Sequence, residues 1–137
     1  MAMEVLEVGD VMSVGVITED EEAPVTKISM EMELSGIGSV VITRGDKPTG
    51  IITDRDIAIK VIMKNRRPSE IKAKEIMSSP LITIGAYEPL EKACKLMAEK
   101  GIRRLPVIED DKLVGIISVR NILTRNPAGV SKFYPEI

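Results

Sequence analysis

Thr53-Asp54-Arg55-Asp56 places a hydroxyl and a carboxylate three residues apart, directly after the apolar run Gly50-Ile51-Ile52. At the start of a helix this spacing can do two things. It can close a capping box, in which Thr53 takes the N3 amide and Asp56 reaches back to the N-cap amide. It can also bind a ligand, since free N–H groups at a helix start favour anions and a carboxylate accepts hydrogen bonds from hydroxyls. The two roles are compatible. Arg103 and Arg104, adjacent just before the run Leu105-Pro106-Val107, offer a second chemistry. A guanidinium is always charged and grips phosphate through paired N–H bonds; the plain alternative for Arg103 and Arg104 is a pair of solvated surface charges. Ser118-Val119-Arg120-Asn121 repeats the first pattern with an amide in place of the carboxylate.

What the sequence lacks narrows its chemistry further. It has no His and a single cysteine, Cys94, which removes His-dependent acid–base work, most catalytic zinc sites and Ser/His or Cys/His nucleophiles. No enzyme is expected, and no catalytic cofactor or metal. One cysteine forms no internal disulfide, which fits a reducing, cytoplasmic setting. The net charge of −2 and three aromatics, Tyr87, Phe133 and Tyr134, argue against nucleic-acid binding, which wants basic surfaces or stacking faces. No apolar run approaches the roughly 18 residues of a membrane helix, and the start Met1-Ala2-Met3-Glu4 lacks the features of a signal peptide.

The positioning elements come in two copies. A shift of 65 residues sets Met12-Ser13 on Met77-Ser78, Ile17-Thr18 on Ile82-Thr83, and Pro24 on Pro89. The same shift sets Met32 on Met97, Gly36-Ile37 on Gly101-Ile102, Gly50-Ile51-Ile52 on Gly115-Ile116-Ile117, and Arg55 on Arg120. A long period that occurs only twice is a duplicated domain.

Each copy reads β-α-β-β-α. Val16 to Thr18 and Leu81 to Thr83 are expected as opening strands. Helices follow with Pro24 and Pro89 in their first turns, apolar stripes at Val25, Ile28, Ser29, Met32 and at Leu90, Ala93, Cys94, Met97, and αL caps at Gly36 and Gly101. The runs 39–43 and 48–53, and their counterparts 105–108 and 113–118, read as hairpins. A second helix is expected from Thr53 to about Arg66, where Arg66-Arg67 forms a solvated end, and its twin is stopped by Pro127. Met12, Met32, Met77 and Met97 read as core filler, and Cys94 as an inert core thiol. The fold class is α+β, with repeats at 8–66 and 73–125, a linker at 67–72 and a tail at 126–137. Repeats of this size bury too little to stand alone, so the two are expected to pack through their sheets about a pseudo-two-fold axis. The helix from Ile57 to Met63, apolar on more than one face, calls for a further surface and hence a homodimer.

Gly-Ile-Ile-Thr-x-x-Asp closing the first copy, and Gly-Ile-Arg-Arg-Leu-Pro-Val opening the second hairpin, resemble the CBS domain family, whose tandem pairs form the Bateman module. The resemblance covers about residues 8 to 125. It implies a non-catalytic regulatory module that binds AMP, ADP, ATP or S-adenosylmethionine in the cleft between repeats and reports to a protein partner. It implies further that Asp56 accepts from the ribose hydroxyls, that Thr53 helps hold the ribose–phosphate end, and that Arg103, Arg104 and Arg120 meet phosphate. Adenine falls to Ile17 and Thr18. A second, weaker site would draw on Arg55, Ile82, Thr83, Ser118 and Asn121; its cross-repeat phosphate positions, Gly38 and Ser39, carry no charge. The alternative is a structural dimerisation module that binds no ligand.

Overall fold

Residues 6–125 are described by the computed structural model. In chain order they form α1 (Val8–Val11), β1 (Thr18–Asp20), α2 (Val25–Ser35), β2 (Ser39–Arg44), β3 (Lys47–Thr53) and α3 (Asp54–Ile57). There follow α4 (Ala73–Ile76), α5 (Leu90–Lys100), β4 (Arg104–Glu109), β5 (Lys112–Ser118) and α6 (Val119–Arg125). The fold is mixed α+β with two repeats, as expected. The chain divides into two units: Ile17–Leu81, and the segment up to Val16 joined to the chain from Ile82 onward. Thus α4 lies in the unit of β2 and β3, and α1 in that of β4 and β5.

The β-branched runs form the hairpins because alternate residues face a core. Val40, Ile42 and Ile52 are fully buried in the first unit, as are Leu105, Val107 and Ile117 in the second. Gly36 (φ 63°) and Gly101 (φ 65°) end α2 and α5 in the left-handed conformation that needs no Cβ. Pro24 and Pro89 stand one place earlier than expected, at the N-cap. Cys94 and Met97 are buried, and Met12, Met32 and Met77 pack against the two cores.

A leading segment docks on each hairpin in the same way. Ser13 exchanges both backbone hydrogen bonds with Ile116 (2.8 and 2.9 Å), and Ser78 does so with Ile51 (2.9 and 3.2 Å). That contact explains two glycines. A Cβ on Gly115 would lie 2.7 Å from the Ser13 carbonyl and 2.5 Å from the Met12 sulfur; on Gly50 it would meet the Ser78 carbonyl at 3.0 Å and the Met77 sulfur at 2.6 Å.

Three expectations need correction. The first strand is Thr18–Asp20 rather than Val16 to Thr18; Ile17 only accepts the Val41 N–H at 3.2 Å. Leu81 to Thr83 is not a strand at all. One parallel bridge remains, Ile84 to Val107, at the place where Glu19 meets Ile42 in the first copy. The reason is Pro106, which stands where Val41 stands and has no N–H to donate. The helix after Thr53 also stops early. It passes into a π turn over Ala58–Ile62, Met63 and Arg66 reach back five residues to Ala58 and Val61, and Asn65 turns left-handed at φ 55°. Arg66 therefore does not end a helix but pairs with Glu75 at 3.1 Å. The stop at Pro127 and the tail lie outside the described residues.

Candidate functional site

Two carboxylates of the first unit are buried, Glu21 and Asp56, and β3 places the second. Thr53 ends that strand in extended conformation and caps α3: its Oγ1 accepts the Asp56 N–H at 3.3 Å, and Asp56 Oδ2 accepts the Thr53 N–H at 2.9 Å and its hydroxyl at 3.2 Å. The capping box is real. The other oxygen is engaged too. Oδ1 accepts the Ser78 hydroxyl at 3.3 Å and faces the Lys60 ammonium at 3.0 Å, while Lys60 also donates to the Ile76 carbonyl at 2.8 Å. Four donors thus surround a carboxylate that has about four lone-pair positions. Asp54 takes no part in this cluster; it lines a groove of about 250 Å³ with Met32, Ile37 and Ile57.

The second unit builds the same box with different polarity. Asn121 Oδ1 accepts the Ser118 N–H at 3.0 Å and its hydroxyl at 2.8 Å, and Ser118 Oγ accepts the Asn121 N–H at 3.1 Å. The amide Nδ2 then donates to Ser13 Oγ at 3.1 Å. Ser78 gives its hydrogen to a carboxylate, whereas Ser13 receives one from an amide.

Arg103, Arg104 and Arg120 fall in this second unit. Arg104 pairs across the hairpin with Ser118, and the Arg103 carbonyl accepts the Val119 N–H at 3.0 Å. The backbone of 103–104 therefore adjoins that of 118–120. Among the described residues no carboxylate pairs with these three guanidiniums, nor with Arg55 in the first unit, while Arg44 and Arg66 are both in ion pairs. At the positions matching Arg103 and Arg104 the first unit has Gly38 and Ser39. Ile17 packs on its unit's core and Thr18 is exposed in β1; Ile82 packs on the other core and Thr83 is exposed in irregular backbone.

Other carboxylates of the first unit tie down α4 and its N-cap Lys72 or brace β2 and β3. Glu22 is held down at about 2 by Lys74 and Lys72, at 2.7 and 2.9 Å. Glu21 is lowered by hydrogen bonds from Thr49 and Arg44, and Glu75 by the Lys72 N–H and Arg66. Burial pushes the Cys94 thiol up, as suits an inert core group. No group of three or more His, Cys, Asp or Glu side chains among the described residues could hold a metal ion.

Sequence reasoning missed Ser78 and Lys60. Both left a signal. Met77-Ser78 recurs as Met12-Ser13, and Lys60 lies four residues after Asp56, the spacing of a helical ion pair.

The CBS domain model matches residues 8–62 and 73–127. The chain belongs to the CBS domain family. An uncharacterized protein of Methanopyrus kandleri, MK0525, is 42% identical over 98% of this chain and 70% of its own length. Among solved structures, a hexameric CBS-CP12 protein from bloom-forming cyanobacteria is 30% identical, with a TM-score of 0.85 over 91% of this chain and 74% of its own. The CBS pair of protein MJ0100, solved with 5′-methylthioadenosine and S-adenosyl-L-methionine, is 27% identical, with a TM-score of 0.80 over 88% of this chain and 95% of its own. CBS pairs are regulatory ligand-binding modules. In this CBS pair, no helix of the described residues is long and apolar enough to cross a membrane.

Proposed function

We propose that this CBS pair is a non-catalytic cytoplasmic sensor of adenosine nucleotides, AMP, ADP or ATP, acting as a homodimer on a regulated protein. Ile17 and Thr18 serve adenine in this reading, Thr53 and Asp56 the ribose, and Arg103, Arg104 and Arg120 the phosphates. Arg55, Ile82, Thr83, Ser118 and Asn121 form at most a weaker second site. The observation that carries the reading is the set of arginines at 103, 104 and 120, unpaired among the described residues and adjoined along the backbone of one unit. Unpaired guanidiniums at a hairpin end suit phosphate far better than they suit packing. The adenosine-containing ligands of the MJ0100 pair support the nucleoside half.

One observation favours the alternative, a dimerisation module without ligand: the donors already around Asp56 leave its carboxylate satisfied. A thermal-shift series with AMP, ADP, ATP and S-adenosylmethionine separates the two readings. Ligand at a hundred times its Kd adds about 2.7 kcal/mol, and each kcal/mol moves Tm by roughly 2–8 °C at this size. A clear rise with a nucleotide is expected. Flat curves with all four ligands would leave the dimerisation module standing.

A further inference from the structure

The crowding of Asp56 has a consequence for any ligand that uses it. A diol hydroxyl can reach this carboxylate only by taking the place of a donor already there. The four are unequal. The Thr53 N–H belongs to the capping box, and the Thr53 hydroxyl sits on the same oxygen. Lys60 makes a charge-assisted contact at 3.0 Å and is anchored a second time on the Ile76 carbonyl at 2.8 Å. Ser78 is the weakest holder: a neutral hydroxyl at 3.3 Å on an exposed residue, free to turn to water.

We infer that Ser78 is an internal competitor for the ligand's place on Asp56, so that ligand occupancy loosens the docking of the segment Ala73–Ser78 on β3. The inference rests on the reading of Asp56 as the ribose acceptor and adds to it a regulatory output. Binding free energies are reciprocal, so whatever the Ser78 contact takes from ligand affinity, the ligand takes from the docking of Ser78. The output is local to this unit. In the other unit Ser13 accepts from Asn121 rather than donating, and so does not compete for an acceptor.

The test combines AMP calorimetry with hydrogen exchange of the amides at 73–78, on the full chain and on Ser78→Ala, Ser13→Ala and Asp56→Asn. Ser78→Ala is expected to bind AMP more tightly by roughly tenfold or more, the worth of one hydrogen bond to a charged acceptor. Ser13→Ala is expected to bind as the wild type does. Saturating AMP should speed exchange at Met77 and Ser78 in the wild type by a similar factor and leave Ser78→Ala unmoved. AMP binding that Asp56→Asn abolishes, with affinity unchanged in Ser78→Ala or exchange unmoved by AMP, would overturn the coupling and keep the site. No AMP binding by the wild type would overturn both.

Discussion

The two copies share their hairpins and docking contacts and differ in the side chains they carry there. Pro24 bridges Lys72 in one unit and Glu7 bridges Pro89 in the other; Ser78 meets Ile51 in one and Ser13 meets Ile116 in the other. Every one of these contacts recurs at a shift of 65. Yet the polar box holds a carboxylate in the first unit and an amide in the second. Of the arginines without an ion pair among the described residues, three (Arg103, Arg104, Arg120) stand at the end of the second hairpin and Arg55 alone at the first. The ion pairs follow the same division. Glu22, Lys72 and Lys74 tie the first unit's leading segment down, while the matching positions are Tyr87, Glu7 and Gly9. Duplication kept what backbone hydrogen bonds and glycine packing require, while side chains free of those demands differ: a carboxylate box in one copy, an amide box beside three arginines in the other.

The strongest way to break this comparison is to equalise the boxes. Asp56→Ala should lower AMP affinity about tenfold or more, since the hydrogen bond to a charged acceptor that it removes is worth about 1.5–3 kcal/mol. Asn121→Ala should leave affinity nearly unchanged. Equal losses on calorimetric titration would refute the division into unlike halves. Each change should also lose a cap's worth of stability, about 0.5–2 kcal/mol.

A second pair of substitutions tests what duplication preserved. Gly50→Ala and Gly115→Ala should each cost about 1–3 kcal/mol, because the new methyl forces the docked Met-Ser segment away from its strand. Gly115→Ala should cost the more, since its Cβ meets a backbone carbonyl at 2.7 Å rather than 3.0 Å. Urea unfolding of the two variants gives the order. A reversed order would mean that the segments are not held equally.

The smallest effect sharpens the electrostatic contrast. Glu21, Glu22 and Glu75 ionise more readily in the folded protein than at their ordinary value of 4.5. Their stabilising contribution is therefore full above pH 4.5 and fades as pH falls toward about 2, where Glu22 takes up its proton. The contacts of Glu22 and Glu75 are open to water, so the loss should be modest. Hydrogen exchange along an acid series should show residues 71–76 loosening before residues 6–11. Simultaneous loosening would count against the ion pairs as the cause.

Much of this was legible in the sequence. The hairpins, the glycine caps and the Thr53–Asp56 box follow from β-branched runs and cap spacing, which act through neighbours in the chain. The lost strand at 81–83 was not legible from its own residues, because the cause is Pro106, a residue on the strand it would have paired with. The early end of the helix after Thr53 depends on five-residue backbone bonds that no apolar spacing announces. Ser78 escaped because its partner lies 22 residues away, a distance that only the fold closes.

In the proposed function, two copies with like hairpins but unlike boxes make one good nucleotide site. Calorimetric titration of the full chain with AMP measures this directly through the stoichiometry. One tight equivalent per chain is the predicted result; two equivalents of equal affinity, or none, would contradict it.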